Sequence, residues 1–260
     1  MKIPAAALVL VLIAGCATGP RIDDSYKSGA QRGRVRALVI HFTHADFERT
    51  MRIVTGDDVT YHYVVRDDPP TIYRLVDEGR SAFHAGASSW RGYTQLNDSS
   101  IGIGIVNGGP GDTRGGDQPS AWADYSEAQL EAVMDLVKDI VKRHGIGPEW
   151  LVGHSDIAPQ RKVDPGPKFP WIRLADAGLI RWPDARTIAE RLPAHQATLP
   201  DVEWFQVMLQ RHGFAVPIHG DLDQASRNVL RAFQMKYRPA RFDGLPDAET
   251  AAILDALVNP

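Results

Sequence analysis

Apolar positions recur along the chain with two different periods, and the changes of period divide it. An apolar run over 35–40 ends in His41, and 61–65 is a second short run rich in β-branched and aromatic residues; both predict strands. Asp67-Asp68-Pro69-Pro70 reads as a turn, after which 71–76 alternates well enough to be the returning half of a hairpin. The stretch 101–106 predicts another buried strand. A loop rich in Gly, Pro and Asp then leads to the capping box Ser126-Glu127-Ala128-Gln129, and Leu130, Val133, Val137, Ile140 and Val141 follow at helical spacing. A short strand over 150–153 delivers His154 to its end. This mixture over 35–190 predicts an α/β domain, a central, mainly β-sheet flanked by helices.

Beyond it the pattern thins. Pro183, Pro193 and Pro200 punctuate a segment with few periodic apolar positions, which predicts a linker at 191–200. From Asp201 the helical period returns: Val202, Phe205 and Leu209 before Gly213, then Leu222, Val229, Leu230 and Phe233, then 248–257. The expectation for 201–260 is a small C-terminal three-helix bundle, near the lower size limit for independent folding.

The 260 residues carry 29 Lys+Arg against 32 Asp+Glu, a formal net charge of −3 with no basic run, which argues against nucleic acid as a partner. No protein partner is implied either. The single cysteine, Cys16, excludes an internal disulfide and any multi-cysteine metal site. Its place says more. Lys2 precedes an apolar stretch, 3–13, too short to span a bilayer but long enough for a secretory signal, so 1–15 reads as a signal peptide. Ile13-Ala14-Gly15-Cys16 resembles a bacterial lipobox, with Cys16 as the lipidated residue, 16–34 as a polar tether, and a lipid anchor in the membrane. Ala17 after the cysteine, by resemblance to enterobacterial lipoproteins, implies the outer membrane, facing the periplasm.

Three side chains stand out for chemistry: His41, His154 and Asp164, each following or near a predicted strand end, where a rigid sheet presents ligands from its loops. Two imidazoles and one carboxylate suit a catalytic zinc with an open position for water. From spacing alone, solvated or satisfied core histidines are the stronger reading in a chain with nine of them.

The wider pattern is more specific. Leu38-Val39-Ile40-His41-Phe42-Thr43, Tyr61-His62-Tyr63, Ser81-Ala82-Phe83-His84-Ala85-Gly86, Leu96-Asn97-Asp98-Ser99-Ser100-Ile101-Gly102-Ile103 and the run from Gly153-His154-Ser155-Asp156 to Lys162-Val163-Asp164-Pro165-Gly166 occur in the order of the type-2 N-acetylmuramoyl-L-alanine amidases, which 35–175 resembles. The resemblance implies one Zn2+ held by His41, His154 and Asp164, with Lys162 stabilising the oxyanion of a tetrahedral intermediate. It implies cleavage of the amide between N-acetylmuramoyl and L-alanine in peptidoglycan or muropeptides. His84, Trp90 and Arg161 would line the substrate groove, and Asp156 either orients His154 or stabilises a turn.

One position departs from the family. Where many members carry a glutamate proposed to handle the proton of the attacking water, this chain has Gly104. Tyr61 resembles a tyrosine that phage lysozyme-like amidases and peptidoglycan-recognition proteins use beside zinc; it is equally readable as a core aromatic of its strand. The alternative to an enzyme is therefore a peptidoglycan-binding lipoprotein with weak or no catalysis. The C-terminal unit resembles three-helix peptidoglycan-binding modules through Leu209-Gln210-Arg211-His212-Gly213-Phe214, Gly220-Asp221-Leu222-Asp223, Ala232-Phe233-Gln234 and Gly244-Leu245-Pro246-Asp247.

Overall fold

β1 (Ala37–Phe42) is buried at every position and forms the spine of the sheet in this computed structural model, which describes residues 20, 22–31, 33–111 and 121–260. The expected signal peptide and Cys16 lie outside the described residues. The chain divides into two units, 1–32 and 33–260. In the first, the described residues carry no helix or strand.

In the second unit β1 is followed by α1 (Phe47–Val54), β2 (Tyr63–Val65), β3 (Ile72–Arg74), the small hairpin β4 (Ser89–Trp90) and β5 (Tyr93–Thr94), and β6 (Ser100–Ile105). Then come α2 (Glu127–His144), β7 (Leu151–Gly153), the single turn α3 (His154–Ile157), α4 (Trp171–Asp176), α5 (Ala185–Ala197), α6 (Val202–His212), α7 (Gln224–Tyr237) and α8 (Ala248–Val258). The main sheet has the order β3-β2-β6-β1-β7. Its pairs are parallel except β2 with β3, the expected hairpin. Strands buried on both faces need no polar alternation, which is why β1 reads as a continuous apolar run.

α2 starts as its capping box dictates, with Ser126 Oγ accepting from the Gln129 N–H, and ends on Gly145 in the left-handed conformation. Leu130, Val133, Val137 and Ile140 are its buried stripe, so the predicted core face is the observed one.

Segment 191–200 is not an irregular linker. α5 covers most of it, with Pro193 inside the helix and Asp184 capping the Thr187 N–H. A proline there forfeits a backbone hydrogen bond at a cost of about 3 kcal/mol, and tertiary contacts offset it. Arg191 pairs with Asp255 of α8 at 3.0 Å, and Arg191 Nη2 donates to the Asn259 carbonyl. The three C-terminal helices form as expected, each capped by the aspartate before it, Asp201, Asp223 and Asp247. They do not stand apart from the sheet domain. Phe214 packs edge-on against Trp90, and Asn228 donates to Gln160 at 2.9 Å, within the one compact unit 33–260.

Candidate metal centre

β1 and β7 run side by side in parallel, Leu38 to Ile40 opposite Leu151 to Gly153, so their C-terminal ends present His41 and His154 together. Asp164 reaches the same point because its carbonyl accepts from the Ser155 N–H at 2.8 Å, folding the loop back over α3. The three donor atoms make a nearly equilateral triangle. His41 Nδ1 lies 3.0 Å from His154 Nδ1 and 3.0 Å from Asp164 Oδ2, and His154 Nδ1 lies 3.1 Å from that oxygen. Metal bonds of about 2.0–2.1 Å in a tetrahedral array space the ligands by about 3.3 Å, so the triangle fits a metal ion with a shift of a few tenths of an ångström.

The hydrogen bonds around it fix which nitrogen is free. Leu96 offers only a carbonyl to Ser100, so the Ser100 hydroxyl donates there and its oxygen accepts from His84 Nε2–H, 3.2 Å away. His84 Nδ1 must then accept, from His41 Nε2–H at 3.0 Å, which leaves the His41 Nδ1 lone pair pointing into the triangle. His154 Nε2–H donates to the Ala85 carbonyl at 3.2 Å with the same result for its Nδ1. Such partners set the tautomer and orientation of metal-bound imidazoles.

The electrostatics agree. Burial first, and the neighbouring His154 second, push His41 down to about 4 against the pull of Asp164. Burial, then His41 and His62, hold His84 well below its ordinary value. For Asp164 burial acts upward, but the two imidazoles beside it outweigh that and keep the carboxyl below the usual range. Two imidazoles with Nδ1 facing inward and a carboxylate are the donor set of a metal site.

A cleft of about 460 Å³ opens over Asp164 and His154, with Lys162, Tyr61, Arg161 and His84 also on its wall. The Lys162 side chain has no hydrogen bond or ion pair among the described residues, and its charge is felt at His41. Tyr61 stacks obliquely on His41, centroids 5.1 Å apart; burial first and the Asp164 carboxylate second raise its phenol above its ordinary value, so it stays a hydrogen-bond donor. Arg161 spends its guanidinium on the Ala85 and Ala87 carbonyls, clamping the loop that orients His154. His84, expected as a groove residue, is 5% exposed and bonded to His41, so it reaches the cleft mainly as the support of a donor.

Trp90 is not in the cleft. It is 2% exposed, its Nε1–H donates to the Glu149 carbonyl at 2.8 Å, and its ring meets His212 at the end of α6 and Phe214 just after it. Two residues given no role from the sequence do support the centre. Asn97 Oδ1 accepts from the His84 and Ala85 N–H groups, and Ser100 ends the hydrogen-bond chain from His41. The signal was their polarity beside a strand buried at every position.

The sequence profile of the N-acetylmuramoyl-L-alanine amidases matches residues 31–167, and a profile for a peptidoglycan binding domain matches 198–254. The chain is 41% identical to the N-acetylmuramoyl-L-alanine amidase AmiD of Escherichia coli K12 over 96% of its own length and 94% of that protein. The chain belongs to the N-acetylmuramoyl-L-alanine amidase family. Two solved structures resemble this amidase along most of their length. One is E. coli AmiD in complex with the substrate anhydro-N-acetylmuramic acid-L-Ala-D-gamma-Glu-L-Lys, with a TM-score of 0.82 and 39% identity over 92% of this chain and 95% of that one. The other is AmpDh3 of Pseudomonas aeruginosa in complex with anhydromuramic pentapeptide, with a TM-score of 0.84 and 38% identity over 91% and 97%.

The amidase's departure at Gly104 has a neighbour that explains the space it leaves. A Cβ at 104 would lie 2.6 Å from Tyr61 Cδ2 and 2.7 Å from Cε2, so the tyrosine ring occupies the room a side chain there would need.

Proposed function

We propose that this amidase hydrolyses the amide between the lactyl carbonyl of N-acetylmuramoyl and the nitrogen of L-alanine, on muropeptides of the anhydro class, with zinc as its metal. The triangle of buried donors with both imidazole lone pairs directed inward carries this reading; substrates bound to the related AmiD and AmpDh3 support its substrate class. His41, His154 and Asp164 hold the metal. When bound, zinc supplies Lewis acidity toward the scissile carbonyl and lowers the pKa of a water to about 7. Lys162 places a fixed cation beside the carbonyl oxygen, where negative charge develops, and the protonated Tyr61 phenol donates to the same oxygen. Asn97 and Arg161 keep the 84–87 loop rigid around the reacting groups.

The residues at 201–260 hold the enzyme on peptidoglycan and raise its local concentration at a polymeric substrate. Residues 1–15 direct export and Cys16 carries the lipid anchor in the outer membrane, on the strength of the lipobox-like Ile13-Ala14-Gly15-Cys16 and Ala17. Cys16→Ser is expected to release the protein from the membrane fraction.

The deciding experiment is peptide release from purified anhydro-muropeptides by zinc-loaded protein, with His154→Ala as control. Release that the control lacks supports the hydrolase. Retention on sacculi without release supports the second reading, a binding lipoprotein whose Gly104 marks lost catalysis.

A further inference from the structure

The turn that carries His154 is held from behind by a residue of the C-terminal helices. α3 begins with His154, and its Ser155 N–H fixes the Asp164 carbonyl, so this one turn sets the relative places of two of the three donors. Asp156 folds back on it, with Oδ2 accepting from the Gly153 N–H at 2.8 Å. The same oxygen accepts from Lys236 Nζ at 2.7 Å, a residue of α7 lying 80 positions further on. The pair is enclosed: the Lys236 and Asp156 side chains are 5% and 2% exposed. Trp171 covers it, 4.2 Å from Nζ to the ring centroid, and Trp171 also presses on Gly153, with Pro165 on the same side.

A lysine so enclosed is rare and costly. Taking both charges out of water costs several kcal/mol per ion, and an apolar residue of similar volume docks a helix as well or better. Elsewhere α7 buries Val229, Leu230 and Phe233, apolar side chains that pack with no charge. Docking alone therefore gives no reason for the charge, whereas the Asp156 carboxylate does. It is committed to the backbone N–H immediately before a donor, and Lys236 is its countercharge.

We propose that Lys236 is a positioning residue of the metal centre: it holds Asp156 against the Gly153 N–H, fixes the α3 turn that aims His154, and makes the C-terminal helices a working part of the site. This rests on the reading of His41, His154 and Asp164 as metal donors. Because coupling is reciprocal, metal binding in turn tightens the seat of α7 on α3.

The test uses the full-length protein and zinc itself, titrated against a chromophoric chelator, with thermal unfolding of the metal-free and zinc-loaded forms. Lys236→Met and Asp156→Asn are each expected to weaken zinc binding about 10–100-fold, the range found when partners behind metal ligands are removed. The double variant should be no weaker than the worse single one, Lys236→Arg should recover most of the loss, and zinc should raise Tm less in Lys236→Met than in the native chain. Unchanged zinc affinity in folded variants, with only the metal-free Tm lowered, would overturn the proposal, since that is the behaviour of a lysine that merely docks a helix. Should Lys236→Met fail to fold, the double variant, which buries no lone charge, gives the same two answers. A native chain that binds no zinc sinks the metal reading as well; a native chain that binds it alongside equally tight variants sinks only the role of Lys236.

Discussion

Replacing Gly104 by glutamate supplies the carboxylate that the family resemblance leads one to expect there, yet the structure predicts a worse protein rather than a better enzyme. The Cβ alone would come within 2.6 and 2.7 Å of the Tyr61 ring carbons, about 1 Å inside the ordinary carbon contact of about 3.5–4.0 Å. The strand cannot retreat, because Gly104 lies between His41 on one side and Val64 on the other in a parallel ladder. Nor can the ring yield at no cost, because it packs against His41. Overpacking of this size costs about 1–3 kcal/mol. Gly104→Glu is thus expected to lower stability by about that amount, in urea unfolding of the metal-free protein, without raising the rate of peptide release. Tyr61→Ala with Gly104→Glu should regain the stability and exceed the rate of Tyr61→Ala alone. A Gly104→Glu protein within about 0.5 kcal/mol of the native one and faster than it would refute the claim that tyrosine and glutamate exclude each other here.

Ser100→Ala removes the acceptor that orients His84 and through it His41; zinc affinity should fall about 10–100-fold, read by chelator competition. Lys162→Met should keep its zinc and lose about 10²–10³ in rate, the loss seen when one oxyanion donor is removed; full activity with normal zinc content would exclude its role. Acid should destabilise the metal-free protein. His41 and His212 are pushed down to about 4 and about 3, chiefly by burial, so below pH 6.5 the unfolded chain binds protons that the folded one refuses. Stability should be complete above about pH 6.5 and fall toward pH 4 by up to about 1.4 kcal/mol per pH unit for each of them, visible as a declining Tm; a flat Tm from pH 7 to 5 would contradict it.

Strand ends are local features, so the apolar run before His41 and the short strand before His154 place those two residues at sheet ends, but it is the order of the amidase-like motifs, and not position alone, that marks them with Asp164 as donors. What joins distant segments could not be read that way. His84 sits in a loop motif that gives no sign of which side it faces, and the bond to His41 Nε2 decides it. Trp90 looks like a groove aromatic until Phe214 and His212 are seen against it. Pro193 signals a break, correctly by propensity, and is overruled by the contacts of Arg191 with α8 and the chain end. Nothing in the sequence around Lys236 singles it out, and its burial shows only where the fold brings it to Asp156.

β6 shows how far a short pattern can carry an active site once its faces are assigned. In Ser-Ile-Gly-Ile-Gly-Ile successive side chains alternate between faces, so Ile101, Ile103 and Ile105 turn together into the core while Ser100, Gly102 and Gly104 share the other face. That second face is a bed for rings. Ser100 bonds His84, a Cβ at Gly102 would meet His84 Cγ at 2.4 Å, and a Cβ at Gly104 would meet Tyr61. The two glycines are therefore not equivalent. Tyr61 borders an open cleft and has somewhere to go, whereas His84 is tied at both nitrogens, to His41 and to Ser100. Gly102→Ala must displace the support of a metal donor, so it should cost zinc affinity as well as stability, while Gly104→Ala should cost stability and leave zinc bound. Equal zinc affinities in the two variants would show that His84 can shift without taking His41 with it.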